Sequence, residues 1–342
     1  MTDLPVLGVT MGDPSGSGSE IVAKAWADPQ VRRRARLVVL GDVMWMSRAL
    51  DLVGLDAEVH AIEDVSDALY LDDAIDVIQS TDVDLYGLVY GQVQARAGQV
   101  AYDTVIAGID LAMQGKVDAL VTSAINKEAL NLAGHHYDGH TGLLAYRTGA
   151  KRVAMMLTAG GFRVTHVSTH CSLRQAIERV KTDRVADVIR LTDDALKQMG
   201  IASPRIAVAG LNPHSGEGGL FGDEEVLEIG PAIDRTRAEG LNVHPIPVPP
   251  DTVFYMMAEN RAFDAVVAMY HDQGHIPTKL IGFAQGVNIT LGLPIIRTSV
   301  DHGTNFGKAG KGTAYATSMI CAIMAAVEMA AGRAAPSESA RG

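Results

Sequence analysis

Three histidines follow apolar segments of this 342-residue sequence, at points where predicted strands end. His170 closes "VSTH", His214 lies in "NPHSGEGG", and His271 opens "HDQGH" directly after the apolar run "DAVVAMY". Neutral imidazoles that converge from separate loops suit a divalent transition metal, and three protein ligands leave positions open for substrate and water. The pattern predicts a metal site built from these histidines, with His275 supporting a ligand or contacting substrate.

A second group of side chains has the chemistry of an anion site. It consists of His140 and Thr141 in "DGHTGLLA", Lys279, Asn288 in "GVNIT" and Arg297 in "IIRTS". Cationic and hydrogen-bonding side chains of these types bind carboxylates and phosphates. Two carboxylates accompany them: Asp272 is placed to orient a metal-bound histidine, and Asp251 is either an orienting group or a helix N-cap.

The elements that must position these residues alternate along the chain. Short apolar runs separated by helical patterns predict βαβ units and a mostly parallel sheet. In such sheets, ligands bind at the carboxyl ends of the strands. The predicted strands are "LPVLGVT", "RLVVLGD", "DALVTSA", "RVAMML", "FRVTHVST", "RIAVAGL", "DAVVAMY", "GVNIT" and "PIIRTS", and the predicted helices include "SEIVAKAWADP", "GQVAYDTVIAGIDLAMQGK", "SLRQAIERV" capped by Ser172, and "TAYATSMICAIMAAVEMA".

Two glycine-rich segments resemble nucleotide-binding loops only superficially. "MGDPSGSGSE" begins like a dinucleotide fingerprint, but Ile21 stands where a third small residue is required. It is interpreted as a tight strand-to-helix turn whose amides could still face an anion. "GKAGKGT" has Gly312 where a P-loop needs serine or threonine after the lysine, so it is rejected as a P-loop.

Composition excludes several classes of protein. The net charge of −11, from 29 basic and 40 acidic residues, disfavours a nucleic-acid partner. The first residues lack a signal-peptide pattern and the most apolar late segment contains Glu328, so a cytoplasmic protein without a membrane partner is expected. Cys171 and Cys321 are predicted to be buried free thiols.

Taken together, the motifs resemble the 4-hydroxythreonine-4-phosphate dehydrogenase family over nearly the whole chain. "HDQGHIP" is most similar to the branch acting on 4-phospho-D-threonate or 4-phospho-D-erythronate. The motifs that carry the resemblance are "MGDPSGSGSE", "INKEAL", "DGHTGLLA", "VSTH", "GLNPHSGEGGLFGDEE", "PPDTVF", "AMYHDQGHIPTKLIGF" and "GVNITLGLPIIRTSVDHGT".

The resemblance implies an isocitrate/isopropylmalate dehydrogenase-like fold, a homodimer with a shared active site, NAD, and a divalent metal: zinc, or alternatively cobalt, manganese or magnesium. It implies metal ligation by His170 and His214 of one chain with His271 of its partner. The implied substrate contacts are His140, Thr141, Lys279, Asn288 and Arg297. Ser15, Ser17, Ser19 and Gly142 depart from the family pattern and leave the exact substrate open.

The expected reaction is NAD-dependent oxidation of a 4-phosphorylated 3-hydroxy acid followed by loss of CO2. Lys279 is the candidate for proton transfer, with Asp272 or Asp251 for orientation; no residues are assigned to the dinucleotide. The alternatives are a cis-dihydrodiol carboxylate dehydrogenase, a zinc hydrolase and a non-catalytic binding protein. Two lobes are expected, a discontinuous first lobe of residues 1–135 with 300–342 and a second lobe of residues 136–299 that carries the metal and substrate residues and the dimer interface.

Overall fold

A computed structural model describes residues 4–137 and 139–334. The strands are β1 Val6–Thr10, β2 Arg36–Gly41, β3 Glu58–Ile62, β4 Ala74–Gln79, β5 Ala119–Thr122, β6 Ala154–Ala159, β7 Phe162–His166, β8 Ile206–Val208, β9 Ala265–Ala268, β10 Val287–Leu291 and β11 Arg297–Val300. The helices are α1 Gly18–Ala27, α2 Pro29–Arg32, α3 Val43–Val53, α4 Ala95–Met113, α5 Lys127–Leu132, α6 His140–Thr148, α7 Leu173–Arg179, α8 Thr182–Gln198, α9 Gly230–Ala238, α10 Val253–Ala258, α11 His271–Gly282 and α12 Thr317–Ala334.

These elements form two compact units. Among the described residues, one unit comprises residues 4–137 and 139–151 with Leu293–Ala331, and the other comprises Arg152–Gly292 with residues 332–334. The lobes expected from sequence, with boundaries at 135/136 and 299/300, remain a prediction about domains, because a compact unit is not by itself an independently folding domain.

The first unit is a parallel sheet in the order β3-β4-β2-β1-β5-β11. Leu40 of β2 and Leu120 of β5 are fully buried and pack with Val105 and Ile109 of α4. The spacing of Val105 and Ile109 places both on one face of the helix, which explains why "GQVAYDTVIAGIDLAMQGK" forms a helix against this sheet.

The second unit contains a mixed sheet in the order β10-β6-β7-β9-β8. The β10–β6 and β6–β7 pairs are antiparallel, whereas β7, β9 and β8 are parallel neighbours. Val164 and Val266 from adjacent strands are fully buried in one apolar cluster with Ala207 of β8. Continuous apolar strands of this kind are expected where both faces of a parallel sheet are covered. The predicted mostly parallel α/β fold is therefore confirmed.

Local details match the sequence in one place and differ in another. Ser172 caps α7 as predicted, since its hydroxyl accepts a hydrogen bond from the Gln175 amide, and the Gln175 side chain completes the capping box. Cys171 and Cys321 are free thiols, but both are partly exposed rather than buried.

Candidate active site

Three neighbouring parallel strands of the second unit each lead into a loop that carries a predicted metal ligand. β7 is followed by His170, β9 by His271 and β8 by His214, and β9 lies between the other two strands. Parallel strands present their carboxyl ends at one edge of the sheet, where ligands bind in α/β proteins. The three loops therefore leave the sheet at the same edge.

His170 and His271 are the pair that this edge brings together. Their ring centroids are 5.8 Å apart, and both residues border a cavity of about 320 Å³. His271 Nδ1 is 2.6 Å from Asp272 Oδ1. A carboxylate on one ring nitrogen fixes the orientation of the imidazole and directs the other nitrogen to a metal. This geometry fits the orienting role predicted for Asp272.

Two further histidines lie behind His271. The ring of His275 is stacked on that of His271 with 3.6 Å between centroids, and its Nδ1 atom is 3.1 Å from Nε2 of His166. Burial, followed by the nearby histidines, lowers the pKa of His166 to about 3 and that of His275 to about 4. Both imidazoles are therefore neutral near pH 7, so they place no positive charge beside the predicted ligands.

Sequence reasoning gave no role to His166, although "FRVTH" ends in this residue. The available signal was a histidine inside the predicted strand "FRVTHVST", and the observed strand β7 ends at this residue. His275 was predicted to support a ligand or contact substrate, and its position against His271 is compatible with the first of these roles.

His214 lies on an unusual loop. Five consecutive residues from His214 to Gly218 have positive φ, including the non-glycine residues His214 at 52°, Ser215 at 57° and Glu217 at 44°. Such a run is strained for L-residues, and strain of this kind concentrates at functional sites. His214 Nδ1 is 3.8 Å from Asp251 Oδ2, so Asp251 accompanies this histidine rather than capping a helix by a side-chain bond.

Within residues 4–137 and 139–334, no three His, Cys, Asp or Glu side chains of one chain are close enough to hold a metal. His170 and His271 supply two adjacent imidazoles, whereas His214 does not join them in the same chain. The donor types fit a transition metal.

The predicted substrate contacts are divided between the two units. His140, Thr141 and Arg297 belong to the first unit, while Lys279 and Asn288 belong to the second. Lys279 Nζ is 5.6 Å from the centroid of the Phe283 ring, and Asn288 lies half-buried on β10.

In the first unit, Arg297 is a buried cation. Its side chain is 2% exposed, and its Nε and Nη2 atoms donate to Thr122 Oγ1 at 3.2 and 2.6 Å. Burial lowers the pKa of Arg297 to about 9, which leaves it charged at neutral pH. Burial and the charge of Arg297 lower the pKa of His140 well below its usual value, and His140 Nε2 is enclosed without a hydrogen-bond partner among the described residues.

The two glycine-rich segments are occupied with protein contacts. The amides of Ser15 and Gly16 donate to Asp13, and that of Ser17 donates to Thr304. The Glu20 carboxylate accepts from the amides of Gly310 and Gly312 in the P-loop-like segment. These five amides already have partners within the protein, so they are not available as donors to a bound phosphate. Ser15, Ser17 and Ser19 are buried, so these departures from the family pattern pack against protein.

None of the helices among the described residues is long and apolar enough to cross a membrane.

The fold itself is shared with known dehydrogenases: a β-decarboxylating dehydrogenase from Thermococcus kodakarensis superposes with a TM-score of 0.51 at 12% identity, covering 94% of this chain and 82% of that one. At that identity, the likeness concerns the fold alone.

Much closer relatives define the family. Residues 33–326 match the family described as pyridoxal phosphate biosynthetic protein PdxA. D-threonate 4-phosphate dehydrogenase of Salmonella typhimurium is 48% identical over 94% of this chain and 98% of its own length. 4-Hydroxythreonine-4-phosphate dehydrogenase of Desulforapulum autotrophicum is 47% identical over 96% of this chain and 97% of its own.

A solved structure agrees with the sequence relatives. 4-Hydroxythreonine-4-phosphate dehydrogenase from Klebsiella pneumoniae has a TM-score of 0.86 at 45% identity and covers 95% of this chain and 99% of its own. The chain belongs to the PdxA family. The resemblance drawn from the motifs is thus confirmed, and so is the prediction of an oxidoreductase of the dehydrogenase class.

Proposed function

We propose that this protein is an NAD- and divalent-metal-dependent dehydrogenase that oxidatively decarboxylates a 4-phosphorylated 3-hydroxy acid. The substrate class comprises 4-phospho-D-threonate and 4-hydroxythreonine 4-phosphate, in keeping with the names of the relatives. It also includes 4-phospho-D-erythronate, which the motif resemblance implies. The observation that carries the proposal is the set of neighbouring strand ends that lead into His170, His271 and His214. The product would be a phosphorylated ketone with CO2.

A divalent metal, when bound, would supply Lewis-acid chemistry at the alcohol oxygen. Lys279 would accept the hydroxyl proton while the hydride on the same carbon passes to NAD. The bond between the carboxylate and its neighbouring carbon then breaks, releasing CO2, and a proton returns to that carbon. Asp272 and Asp251 would orient His271 and His214 through the contacts described above.

Arg297 is proposed to bind the phosphate, together with His140, Thr141, Lys279 and Asn288 as further substrate contacts. A buried guanidinium is held in a fixed orientation by Thr122, which favours recognition of a planar or tetrahedral oxyanion. Neutral His140 would add a hydrogen bond without a second positive charge.

The metal site is proposed to be shared between two copies of the chain. The 5.8 Å between the rings of His170 and His271 supports these two as ligands from one protomer, with His214 of the partner subunit as the third. This division differs from the one implied by family resemblance, in which His271 comes from the partner. Zinc is the expected metal, although three imidazoles also bind cobalt and other divalent ions.

An apolar surface beside the site supports a homodimer. Ile276, Leu280 and Phe283 of the α11 segment are 63%, 86% and 74% exposed. Large apolar side chains grouped at one surface mark protein interfaces, and this surface follows His271 directly along the chain.

The test is a panel of four-carbon hydroxy acids, with and without the 4-phosphate, assayed by NADH absorbance with and without added metal. The proposal predicts metal-dependent NADH and CO2 formation from the phosphorylated acids. Preferential oxidation of cis-dihydrodiol carboxylates would identify the alternative dehydrogenase. Metal-dependent hydrolysis without nucleotide would indicate a hydrolase, and tight binding without NADH formation would indicate a binding protein.

A further inference from the structure

Gln273, in the middle of "HDQGH", is buried and uses both ends of its side-chain amide. Its Oε1 atom accepts from the backbone amide of Met269 at 2.6 Å, and its Nε2 atom donates to the carbonyl of Gly210 at 2.7 Å. Met269 lies two residues before His271, and Gly210 lies four residues before His214. One side chain therefore connects the ends of β9 and β8 at the points where the two histidine loops begin.

Few other side chains could make this connection. It requires a donor and an acceptor at the end of one side chain, which an amide supplies and a carboxylate or an apolar group does not. Both backbone groups lie in a buried region, where an unpaired donor or acceptor is unfavourable. The glutamine thus holds the two strand ends at a fixed separation.

The connection extends to the third histidine loop. Ser168 Oγ donates to the carbonyl of Met269 at 2.9 Å, and Ser168 lies two residues before His170. The backbone of Met269 is consequently bonded through its amide to Gln273 and through its carbonyl to Ser168. The three strand exits share one buried hydrogen-bond network.

Glu225 completes the network on the side of His214. Its Oε1 atom accepts from the amides of Leu211 and Asn212 at 2.7 and 2.8 Å, and its Oε2 atom accepts from Asn212 Nδ2 at 2.9 Å. The carboxylate is 5% exposed. It anchors the segment immediately before the strained run His214–Gly218, which persists only where surrounding contacts enforce it.

We propose that Gln273 and Glu225 are positioning residues that set the spacing and orientation of the loops carrying His170, His271 and His214. This proposal rests on the proposed function, because it assigns those histidines to a metal. Neither side chain touches the metal or substrate in this account. Their effect is exerted through the backbone of the ligand loops.

The experiment compares Gln273→Met, which keeps side-chain length and removes both hydrogen bonds, with wild type as metal-free full-length protein. Cobalt titration followed by visible absorbance measures affinity, and amide hydrogen exchange measures the loops. The expected result is cobalt affinity reduced about 10- to 100-fold, with faster exchange at Met269 and in 210–216. Thr192→Val, which removes a buried hydroxyl bonded to Val188 within α8, is the control and should leave both readouts unchanged.

A second pair of variants applies if Gln273→Met does not fold. Glu225→Gln replaces one carboxylate oxygen with an NH2 group, which would face the donor Asn212 Nδ2 and lose that hydrogen bond. The variant should therefore accelerate amide exchange at Leu211 and Asn212 and weaken cobalt binding. Its control is Glu228→Gln on the same segment, since Glu228 bonds to Lys181 and Thr182 instead.

The outcomes separate the two proposals. The positioning role would be overturned if Gln273→Met or Glu225→Gln bound cobalt as tightly as wild type and showed unchanged amide exchange in these loops. Failure of the proposed function appears in wild type itself, as cobalt binding that is absent or is unchanged by His271→Ala and His214→Ala. In that case, amide hydrogen exchange of the metal-free variants still shows whether Gln273 and Glu225 stabilise the loops that carry the three histidines.

Discussion

The rings of His271 and His275 are stacked nearly parallel, with 3.6 Å between centroids and 11° between planes. The two residues are four positions apart at the start of α11, so the helix places them on one face. His275 in turn contacts buried His166. The polar residues after β9 therefore make different contacts. His271 borders a cavity, and Asp272 contacts its ring. Gln273 bonds to the ends of β9 and β8, and His275 stacks on His271.

Gly274 is expected to be intolerant of a side chain. A Cβ atom there would lie 2.3 Å from His166 Nε2 and 2.7 Å from a Val164 methyl. Gly274→Ala should lower the free energy of unfolding by about 2 kcal/mol or more, because both neighbours are fully buried. Chemical denaturation measures this. Gly161→Ala, where nothing lies within 4 Å, is the control and should change stability little.

Asp13 predicts a pH-dependent stability. Burial raises its pKa to about 6, opposed by hydrogen bonds from the amides of Ser15 and Gly16. The folded state therefore favours the protonated form, so stability falls as the pH rises from about 4 to 6 and stays lower above 6. Asp13→Asn should remove this loss. The free energy of unfolding of the variant, measured relative to wild type, should therefore be up to about 3 kcal/mol higher at pH 7 than at pH 4.

Urea unfolding of wild type and Asp13→Asn at pH 4.5 and 7 provides the measurement. Asp28→Asn is the matched control, because Asp28 accepts the same kind of turn bond from the amide of Gln30 at a more exposed position. A gain for Asp13→Asn that is equal at both pH values would refute the titration argument.

Arg297→Lys tests phosphate recognition. The change keeps a positive charge but removes the planar fork, so KM for phosphorylated substrates should rise about tenfold or more, with a much smaller change for unphosphorylated acids. Steady-state kinetics on both substrate sets measure it. Arg147→Lys, at a surface pair with Asp110, should affect neither set. Equal losses on both sets would assign Arg297 to another group.

Apolar strands were the most predictable part of the fold. "DAVVAMY" and "RIAVAGL" read as strands because each is a short continuous apolar run, and both are buried. β3 and β4 were missed because His60 and Asp76 interrupt their apolar residues. Asp76 is nevertheless buried, where it binds His60 and the amides of Leu69 and Tyr70. Because Asp76 is a buried polar residue inside β4, the sequence of this strand lacks the continuous apolar run that predicts a buried strand.

The placement of His170, His214 and His271 after strands was predictable, because strand exits can be read from sequence, whereas their role as metal ligands stays a prediction. Gln273, Glu225 and His166 could not be given roles in the same way. The contacts of Gln273 and His166 depend on β9 lying between β7 and β8, and strand order is not encoded in periodicity. Those of Glu225 depend on the path of the chain after β8, which brings the carboxylate back to the amides of Leu211 and Asn212. The left-handed run at His214–Gly218 was also missed, since only two of its five residues are glycine.

Removal of metal should abolish activity. Exhaustive chelation is expected to stop NADH formation, and added zinc, cobalt, manganese or magnesium should restore it to different extents, since imidazole ligation alone does not fix the metal. Activity assays paired with elemental analysis check this. Full activity in preparations verified as metal-free would contradict a metal-dependent reaction.

Mixing inactive variants tests whether the metal site is shared between protomers. His170→Ala, His271→Ala and His214→Ala are prepared separately, then dissociated and reassociated in pairs. If His170 and His271 act from one chain and His214 from its partner, a mixture of His170→Ala with His214→Ala places both defects in one site and leaves the other intact. Random pairing should then restore about a quarter of wild-type activity.

The mixture of His170→Ala with His271→Ala should remain inactive, because every site keeps one defect. If activity recovers in that mixture, and not in the mixture of His170→Ala with His214→Ala, then His170 and His214 act from one chain and His271 acts from the partner. No recovery in any pair, with subunit exchange confirmed by mass, would contradict a shared site.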